Sequence, residues 1–274
     1  MPRIPLEDNF TDVIAKAQRG LGVSDKELCE LAEVSPEDLK AVQSGQLLDA
    51  VIRRVARHLH LGPNALEELA HKRWYPDVPV FPHGFAIFNA PFEDITVNSY
   101  LVWDSRARTA AAFDTGPDAT AMLDIVRTER LKLQMLFITH AHDDHVAALP
   151  KIVADTGAEV WASEREAPEV PGARVFKENA HFHIGGLAIK TLSTWGHSPG
   201  QTSFYVTGLS YPLAVVGDSL FASSIGGSAT HLRDQHRNDV EKILTLPRNT
   251  VLACGHGPLT TVSQEKRHNP FFAP

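Results

Sequence analysis

Three histidines and two aspartates occur within residues 139–145, whose sequence is Thr-His-Ala-His-Asp-Asp-His. The apolar residues 133–138 before this segment predict a buried strand, and residues 146–153 after it predict a helix. A strand end that opens into a helix is where α/β proteins bind ligands. Crowded imidazoles repel one another when charged, whereas neutral ones can share a divalent cation. The segment therefore predicts a metal site.

The bulk composition, with 43% apolar residues, is that of an ordinary globular protein. The net charge of -7 disfavours a general nucleic-acid binder and a protein that binds anionic membranes. No apolar run approaches the roughly 20 residues of a membrane span, and no secretory signal opens the sequence. The two cysteines, Cys29 and Cys254, lie far apart. We therefore expect a cytoplasmic protein without a disulfide framework.

Residues 1–73 are predicted to form a small all-helical module. Ser24 and Glu27 have the spacing of a capping box, and Ser35-Pro36 is a second helix start. The arrangement of these short helices resembles the phage-repressor type of helix-turn-helix domain. The resemblance covers about the first quarter of the chain.

The charge of this helical module argues against DNA binding. The helix that would enter the DNA groove, residues 36–44, carries Glu37 and Asp38 against a single Lys40. Neutralising phosphates requires a basic protein face. We therefore expect a packing or dimerisation module, which makes the chain a possible homodimer, and we do not expect nucleic-acid binding.

A linker at residues 74–84 contains three prolines, which block both helix and central strand. Its aromatic residues predict that it packs on a neighbouring element. Residues 85–274 alternate β-rich apolar runs with helical segments, which predicts one α/β domain. Within that domain we expect irregular structure over residues 163–184 and a short helix over residues 240–246.

Apolar, strand-like runs end in histidine or aspartate at four places: residues 140–145, His197, Asp218 and His256. Each of the last three follows a glycine. A site assembled from these strand ends would contain five histidines and two aspartates, enough ligands for two cations. Imidazole and carboxylate without thiolate suit zinc, iron or manganese better than copper or calcium.

The ordered set His-x-His-x-Asp-His, Gly-His, Gly-Asp and Gly-His resembles the metallo-β-lactamase superfamily over about residues 84–274. Within the superfamily, residues 196–204, 216–221 and 254–258 look most like the glyoxalase II branch. The tail, residues 260–271, is similar to the ending of single-domain members of that branch. The resemblance implies an α/β fold, a four-layer αββα sandwich, behind the small all-α N-terminal module.

The resemblance also implies which residues hold two metal ions. The implied ligands are His140, His142 and His197 for the first ion and Asp144, His145 and His256 for the second. Asp218 would bridge the two ions. Asp114 matches the aspartate that ends an early strand in the family, and it would orient a ligand histidine. Asp143 is the free position of the motif, and we do not expect it to bind metal.

Metal-assisted hydrolysis is the chemistry that this resemblance implies. Two cations that share a water lower its pKa towards neutrality and polarise a carbonyl. We therefore expect a metal-bridging hydroxide to attack a thioester, ester, lactone or amide of a small molecule. Zinc is the metal most expected, and iron or manganese would also suit. Asp144 and Asp218 are the candidate catalytic residues because they would hold the metals, and no protein nucleophile is evident.

Two other functions are compatible with these residues. A mononuclear iron persulfide dioxygenase would use the first ligand set and Asp218. A DNA-binding regulator would use the metal-binding domain as a sensor. Glyoxalase II also has a tyrosine after its last histidine ligand, and a lysine and a tyrosine after its bridging aspartate. Residues 256–258 and 223–228 lack them, so the glutathione contacts of that branch are missing or rebuilt here.

Overall fold

The computed structural model describes residues 3–81 and 83–274, and its N-terminal part is helical. The helices are α1 (Phe10–Leu21), α2 (Asp25–Ala32), α3 (Pro36–Gln43), α4 (Asp49–His58) and α5 (Pro63–Ala70). The predicted capping box is formed, since Ser24 Oγ accepts from Glu27 N at 3.3 Å and the Glu27 carboxylate accepts from Ser24 N at 2.8 Å. Ser35 caps α3 by accepting from Asp38 N at 3.0 Å. Side-chain capping therefore sets where α2 and α3 begin.

The first β-sheet has six strands in the order β1-β2-β3-β4-β5-β6. They are β1 (Phe85–Phe92), β2 (Ile95–Asp104), β3 (Thr109–Phe113), β4 (Lys132–Phe137), β5 (Glu159–Ser163) and β6 (Arg174–Phe176). β1 to β3 are antiparallel, and β3 to β6 are parallel. The connections contain α6 (Thr120–Thr128), α7 (Asp143–Val146) and α8 (Leu149–Thr156). The carboxyl ends of β3, β4 and β5 therefore meet at one sheet edge.

The second sheet also has six strands, in the order β14-β13-β10-β9-β8-β7. They are β7 (His181–Ile184), β8 (Leu187–Ser193), β9 (Thr202–Thr207), β10 (Leu213–Gly217), β13 (Val251–Cys254) and β14 (Thr260–Thr261). Only β10 and β13 pair in parallel. The remaining elements are the two-stranded β11 (Leu220–Phe221) and β12 (Ser224–Ile225), with α9 (Leu232–Asn238) and α10 (Val262–His268).

The main core lies between the two sheets. The rings of Phe113, Phe137 and Phe204 are fully buried there, with centroids 5.1 to 5.5 Å apart. On the outer face of the first sheet, apolar residues of α6 and α8 form a second cluster. Val262 of α10 and Ile243 cover the outer face of the second sheet. The predicted four-layer αββα class is confirmed.

Three local predictions need correction. Residues 163–184 are not irregular, because they contain a short 3-10 turn (Ala167–Glu169) and the edge strands β6 and β7, which pairing with β5 and β8 stabilises. The helix predicted from residue 146 instead begins at Asp143 as α7, and the chain restarts as α8 with a proline in its first turn. The helix predicted over residues 240–246 is the π-helical end (Asp239–Ile243) of a segment that begins with α9.

The N-terminal helices pack on the sandwich through apolar side chains. Ile225, Leu232 and Phe271 belong to the same buried cluster as the apolar faces of α1 to α5. A Cβ added to Gly20 would lie 2.5 Å from Leu232 Cδ2, so glycine lets α1 approach α9 closely. After α5, the Trp74 ring stacks on His268 with centroids 4.8 Å apart.

Within residues 3–81 and 83–274, no helix has both the length and the hydrophobicity needed to span a lipid bilayer. The helices are short, and their apolar residues face the protein cores.

Replacing Phe137 with alanine tests the inter-sheet core. Phe137→Ala would leave a cavity between the sheets, and we expect it to lower the free energy of unfolding by about 3–5 kcal/mol. Urea denaturation followed by circular dichroism measures the change. Val175→Ala on β6 is the control, because that side chain is 50% exposed and should change stability little. Equal losses in the two variants would show that the core does not lie where we place it.

Candidate metal centre

Three histidine rings converge at the first group of ligand atoms. His140 follows β4, His142 is the N-cap residue of α7, and His197 follows β8. His142 Nδ1 lies 3.0 Å from His140 Nε2 and 3.2 Å from His197 Nε2. Three ring nitrogens this close together can bind one metal ion from one side.

Asp144, His145 and His256 form the second group. Asp144 Oδ2 lies 3.4 Å from His145 Nε2 and 3.3 Å from His256 Nε2. Asp144 and His145 are in the first turn of α7, and His256 follows β13. All three are buried, so their ligand atoms are withdrawn from bulk water.

The Asp218 carboxylate lies between the two groups. Its Oδ2 is 3.5 Å from His197 Nε2 and 3.4 Å from His256 Nε2, and its Oδ1 is 3.3 Å from His145 Nε2. One carboxylate therefore faces a histidine of the first group and two histidines of the second. All seven residues predicted as metal ligands come together here, drawn from both sheets, and Asp143 points into solvent.

In three of the histidines, Nδ1 is the ring nitrogen that faces away from the centre. Each of these nitrogens contacts a carboxylate or carbonyl oxygen, which can only accept a hydrogen bond. His145 Nδ1 donates to Asp114 Oδ2 at 2.9 Å, His197 Nδ1 to Gly227 O at 2.9 Å, and His256 Nδ1 to Thr96 O at 2.7 Å. Because the outer nitrogen holds the proton, the neutral ring directs the lone pair of Nε2 inward. Histidines that bind metals characteristically donate their other N–H in this way.

Two buried atoms show that the donor set fits cations. His145 Nε2 and Asp218 Oδ1 are 3.3 Å apart, and neither has a hydrogen-bond partner. A neutral His145 therefore sets a lone pair against a carboxylate oxygen, which is unfavourable unless a proton or a metal ion lies between them. Imidazole nitrogens with carboxylate oxygens are a donor set for zinc, iron or manganese.

Burial and neighbouring carboxylates have opposite effects on the pKa values of four of the histidines. Burial lowers the pKa of His140 and of His197. Burial also opposes the charged form of His145, but Asp114 and Asp218 outweigh it and raise the pKa to about 10. In the same way, Asp218 and Asp144 overcome burial and raise the pKa of His256 to about 11. The second group therefore lies in a strongly negative potential that attracts cations.

Asp114 connects the ends of two neighbouring strands. Its Oδ1 accepts from Thr139 N at 2.8 Å, and its Oδ2 accepts from Thr139 Oγ1 at 2.8 Å and from His145 Nδ1. Its own backbone has a φ of 53°, a left-handed conformation that aspartate adopts more readily than most residues. The contact with His145 is the one expected of a residue that orients a ligand.

Glu166 joins the two histidine loops of the first group, and sequence reasoning missed it. Its Oε2 accepts from Ala141 N at 2.9 Å, and its Oε1 accepts from Ser198 Oγ at 2.8 Å and Gly200 N at 2.6 Å. Glu166 is buried although it lies in the segment that we expected to be irregular. Its one signal in the sequence is its place just after β5, at the sheet edge that also carries His140.

Two glycines are required by close packing at the centre. A Cβ at Gly255 would lie 2.0 Å from Asp218 Oδ1. A Cβ at Gly226 would lie 1.9 Å from Asp218 O and 2.8 Å from His197 Nδ1. Real Cβ atoms do not approach other atoms so closely, so Gly255 lets the backbone pack against the Asp218 carboxylate, and Gly226 lets it pack against the Asp218 carbonyl.

Asn98 holds the loop of the last histidine and was also missed. Its side-chain amide donates to Cys254 O at 2.9 Å and to Gly257 O at 2.8 Å. Tyr100 Oη donates to Cys254 O at 2.5 Å. Both side chains come from β2 of the other sheet, so the position of His256 depends on contacts between the sheets.

Comparison with known proteins identifies the family. Residues 93–256, more than half of the chain, match the family model of the metallo-beta-lactamase superfamily. This chain belongs to that superfamily. It is 30% identical over 203 residues to hydroxyacylglutathione hydrolase GloC of Haemophilus influenzae, a match that covers 64% of this chain and 92% of the relative.

Solved structures of the superfamily show the same fold. The BLEG-1 B3 metallo-beta-lactamase is 28% identical, with a TM-score of 0.59 over 69% of this chain and all of that one. TTHA1623 in a di-iron-bound form is 26% identical, with a TM-score of 0.54 over 67% of this chain and 99% of that one. Members of the superfamily bind divalent metals, usually two.

The affinity of the centre for metal should depend on pH. With pKa values of about 10 and 11, His145 and His256 are protonated at neutral pH without metal, and an incoming ion must displace those protons. Apparent affinity should therefore fall as pH falls from 8 to 6, by about tenfold per pH unit for each displaced proton. Competition with a chromophoric chelator, corrected for the chelator's own protonation, measures it. An affinity that stays constant over this range would contradict the expected displacement.

Glu166→Gln tests the connection between the two histidine loops. An amide cannot accept all three hydrogen bonds, so the first group should loosen and metal affinity should fall about 10–100-fold. Glu169→Gln, an exposed substitution in the same segment, is the matched control. Circular dichroism should show both variants folded. Parental metal affinity in Glu166→Gln would mean that this residue does not position the loops.

Proposed function

We propose that this chain is a dinuclear metal-dependent hydrolase that acts on a thioester, ester or lactone of a small molecule. The observation that carries the proposal is the Asp218 carboxylate, which faces both groups of ligand atoms. A carboxylate in that position would bridge two ions. The first ion would be held by His140, His142 and His197, and the second by Asp144, His145 and His256.

The residues of the chain would each perform a positioning task in this reaction. Asp144 and Asp218 supply negative charge that holds the ions, and Asp114 fixes the ring of His145 through the 2.9 Å hydrogen bond. When bound, the two ions would supply an activated water and stabilise the oxyanion that forms on the attacked carbonyl. Imidazole and carboxylate ligands support zinc as the metal, with iron or manganese also compatible.

The serines beside the ligands support water as the nucleophile. Ser198 Oγ donates to Glu166 Oε1 at 2.8 Å, and Ser219 Oγ donates to the buried carboxylate of Asp239. Both hydroxyls are therefore engaged in holding loops. Neither lies next to a histidine that is free to act as its general base, which an activated serine requires.

Thioesters are the substrates that the relatives favour. The name of the Haemophilus relative describes hydrolysis of a hydroxyacylglutathione, which is a thioester. We propose that this chain also hydrolyses a thioester. We do not propose glutathione as the thiol part of that substrate, because residues 256–258 and 223–228 lack the tyrosines and lysine of glyoxalase II. The glyoxalase II-like assignment therefore concerns the reaction rather than the leaving group.

The convergence of the second group favours the hydrolase over a mononuclear iron persulfide dioxygenase. Asp144 Oδ2 approaches both partner histidines to 3.4 Å or less, much as the first group converges. In a mononuclear centre, only the protonated rings of His145 and His256 would compensate the charge of Asp144, and these converging ligand atoms would hold no metal ion. Two bound ions would explain why both groups of ligand atoms converge.

We further propose that the N-terminal helices are a packing module rather than a DNA reader. Glu37 and Asp38 occupy the exposed first turn of α3, where a DNA-binding helix needs positive charge. The apolar faces of α1 to α5 form one cluster with Ile225, Leu232 and Phe271. The helical module therefore packs against the αββα sandwich and shares a buried apolar cluster with it.

Substitution of two ligands tests the proposal directly. His142→Ala removes a ligand of the first ion, and Asp218→Ala removes the bridge, so each should lose bound metal and reduce thioester hydrolysis to the uncatalysed rate. Elemental analysis and release of free thiol measure the two effects, with circular dichroism confirming the fold. Asp143→Ala changes the exposed neighbour and should retain both properties. Parental turnover in either ligand variant would refute the assigned centre.

A further inference from the structure

An N-terminal arm, residues 4–9, runs across the loop of the last histidine. A Cβ placed on Gly257 would lie 3.2 Å from Glu7 N, 3.5 Å from Glu7 Cβ and 3.6 Å from Pro5 O. Gly257 directly follows His256, a member of the second ligand group. The arm therefore borders residues 256–258, where the tyrosine of glyoxalase II is missing.

Polar contacts on both sides hold the arm in place. The Asp8 carboxylate accepts from Ser224 Oγ and from Lys16 Nζ, and Lys16 Nζ also donates to Ile225 O at 2.9 Å. At its other end, Ile4 O accepts a hydrogen bond of 2.5 Å from Tyr75 Oη. The arm is thus attached both to β12 and to the segment after α5.

An aromatic ring connects this attachment to the metal centre. Lys16 Nζ lies 5.0 Å from the centroid of the Phe221 ring, and that ring meets the His256 ring edge-on at 5.5 Å. Asp8 and Lys16 form a salt bridge and neutralise each other. Glu7 is the other acidic residue of residues 4–9, and it forms no salt bridge among the described residues.

Glu7 lies beside the loop of His256, with its backbone N and its Cβ within 3.5 Å of the position that a Cβ on Gly257 would take. The side chain is half-buried, and burial raises its pKa. The charged groups that affect the pKa of Glu7 include His256 and Asp218. Among the described residues, Glu7 is not part of any group of converging ligand atoms, so its carboxylate is available to face a substrate rather than a metal.

We propose that the arm borders the substrate position beside His256 and that Glu7 is a specificity-determining residue that disfavours anionic substrates. The substrate portion beside His256 would then be neutral or cationic. A carboxylate placed there would be repelled by Glu7 at short range, in a partly desolvated position where charges are weakly screened. This inference rests on the proposed hydrolase function, since it concerns the substrate of the same centre.

Matched metal-binding probes test the charge selection without requiring turnover. The probes are the monohydroxamate of succinic acid, which carries a carboxylate, and its terminal amide, which is neutral. Their dissociation constants are measured by calorimetry on the metal-loaded full chain, in parallel with hydrolysis of an acetyl thioester of 2-mercaptoethanol. Glu7→Gln removes the charge with little change of shape, and Glu37→Gln is the exposed control in the same helical part.

We expect the parent and Glu37→Gln to bind the amide probe more tightly than the carboxylate probe. In Glu7→Gln that preference should shrink by at least about fivefold, and the shift should weaken at high salt. The same preference in the parent and Glu7→Gln would overturn the inference. Loss of the preference in Glu7→Gln, with no thioester hydrolysis by any form, would support the role of Glu7 and refute the proposed function instead.

Discussion

The arrangement of the centre depends on one buried carboxylate, that of Asp218. Its Oδ1 lies 3.3 Å from a histidine nitrogen that has no hydrogen-bond partner, in a place that water does not reach. Two acceptors in that position repel each other unless positive charge lies between them. The surrounding backbone can pack this closely around Asp218 because a side chain at Gly255 or Gly226 would collide with that residue. A divalent cation on each side, as we propose, would satisfy the same oxygens and nitrogens at once.

Hydrogen bonds from the outer ring nitrogens explain how the sandwich holds the ligand histidines in fixed orientations. Asp114 holds His145, while backbone carbonyls of residues 96 and 227 hold His256 and His197. These acceptors come from β2 and the end of β3 in the first sheet, and from the loop after the two-stranded β11 and β12. Fixing the outer nitrogen of a ring fixes the inward lone pair, and rigid elements keep it aimed. The four-layer fold thus preorganises the centre before any ligand arrives.

The sequence was informative where chemistry is local. The seven candidate ligands follow apolar strands directly, so the strand ends and the polar residues after them could be predicted together, and the αββα class followed from the resemblance. Glu166 and Asn98 could not be predicted, because their partners are distant in sequence and their roles exist only after the sheets pack. β6 was missed for a related reason, since pairing with its neighbour outweighs its weak local signal. Zinc, a cytoplasmic location and a homodimer stay predictions from the sequence.

Counting metal ions per chain tests the central claim most directly. Elemental analysis of the purified protein, combined with an oxygen electrode during turnover of thioester substrates, separates the two enzymatic readings. Because Asp218 faces two complete ligand groups, we predict two divalent ions per chain and hydrolysis without oxygen consumption. One iron per chain, together with oxygen consumption in the presence of a persulfide, would contradict the dinuclear hydrolase.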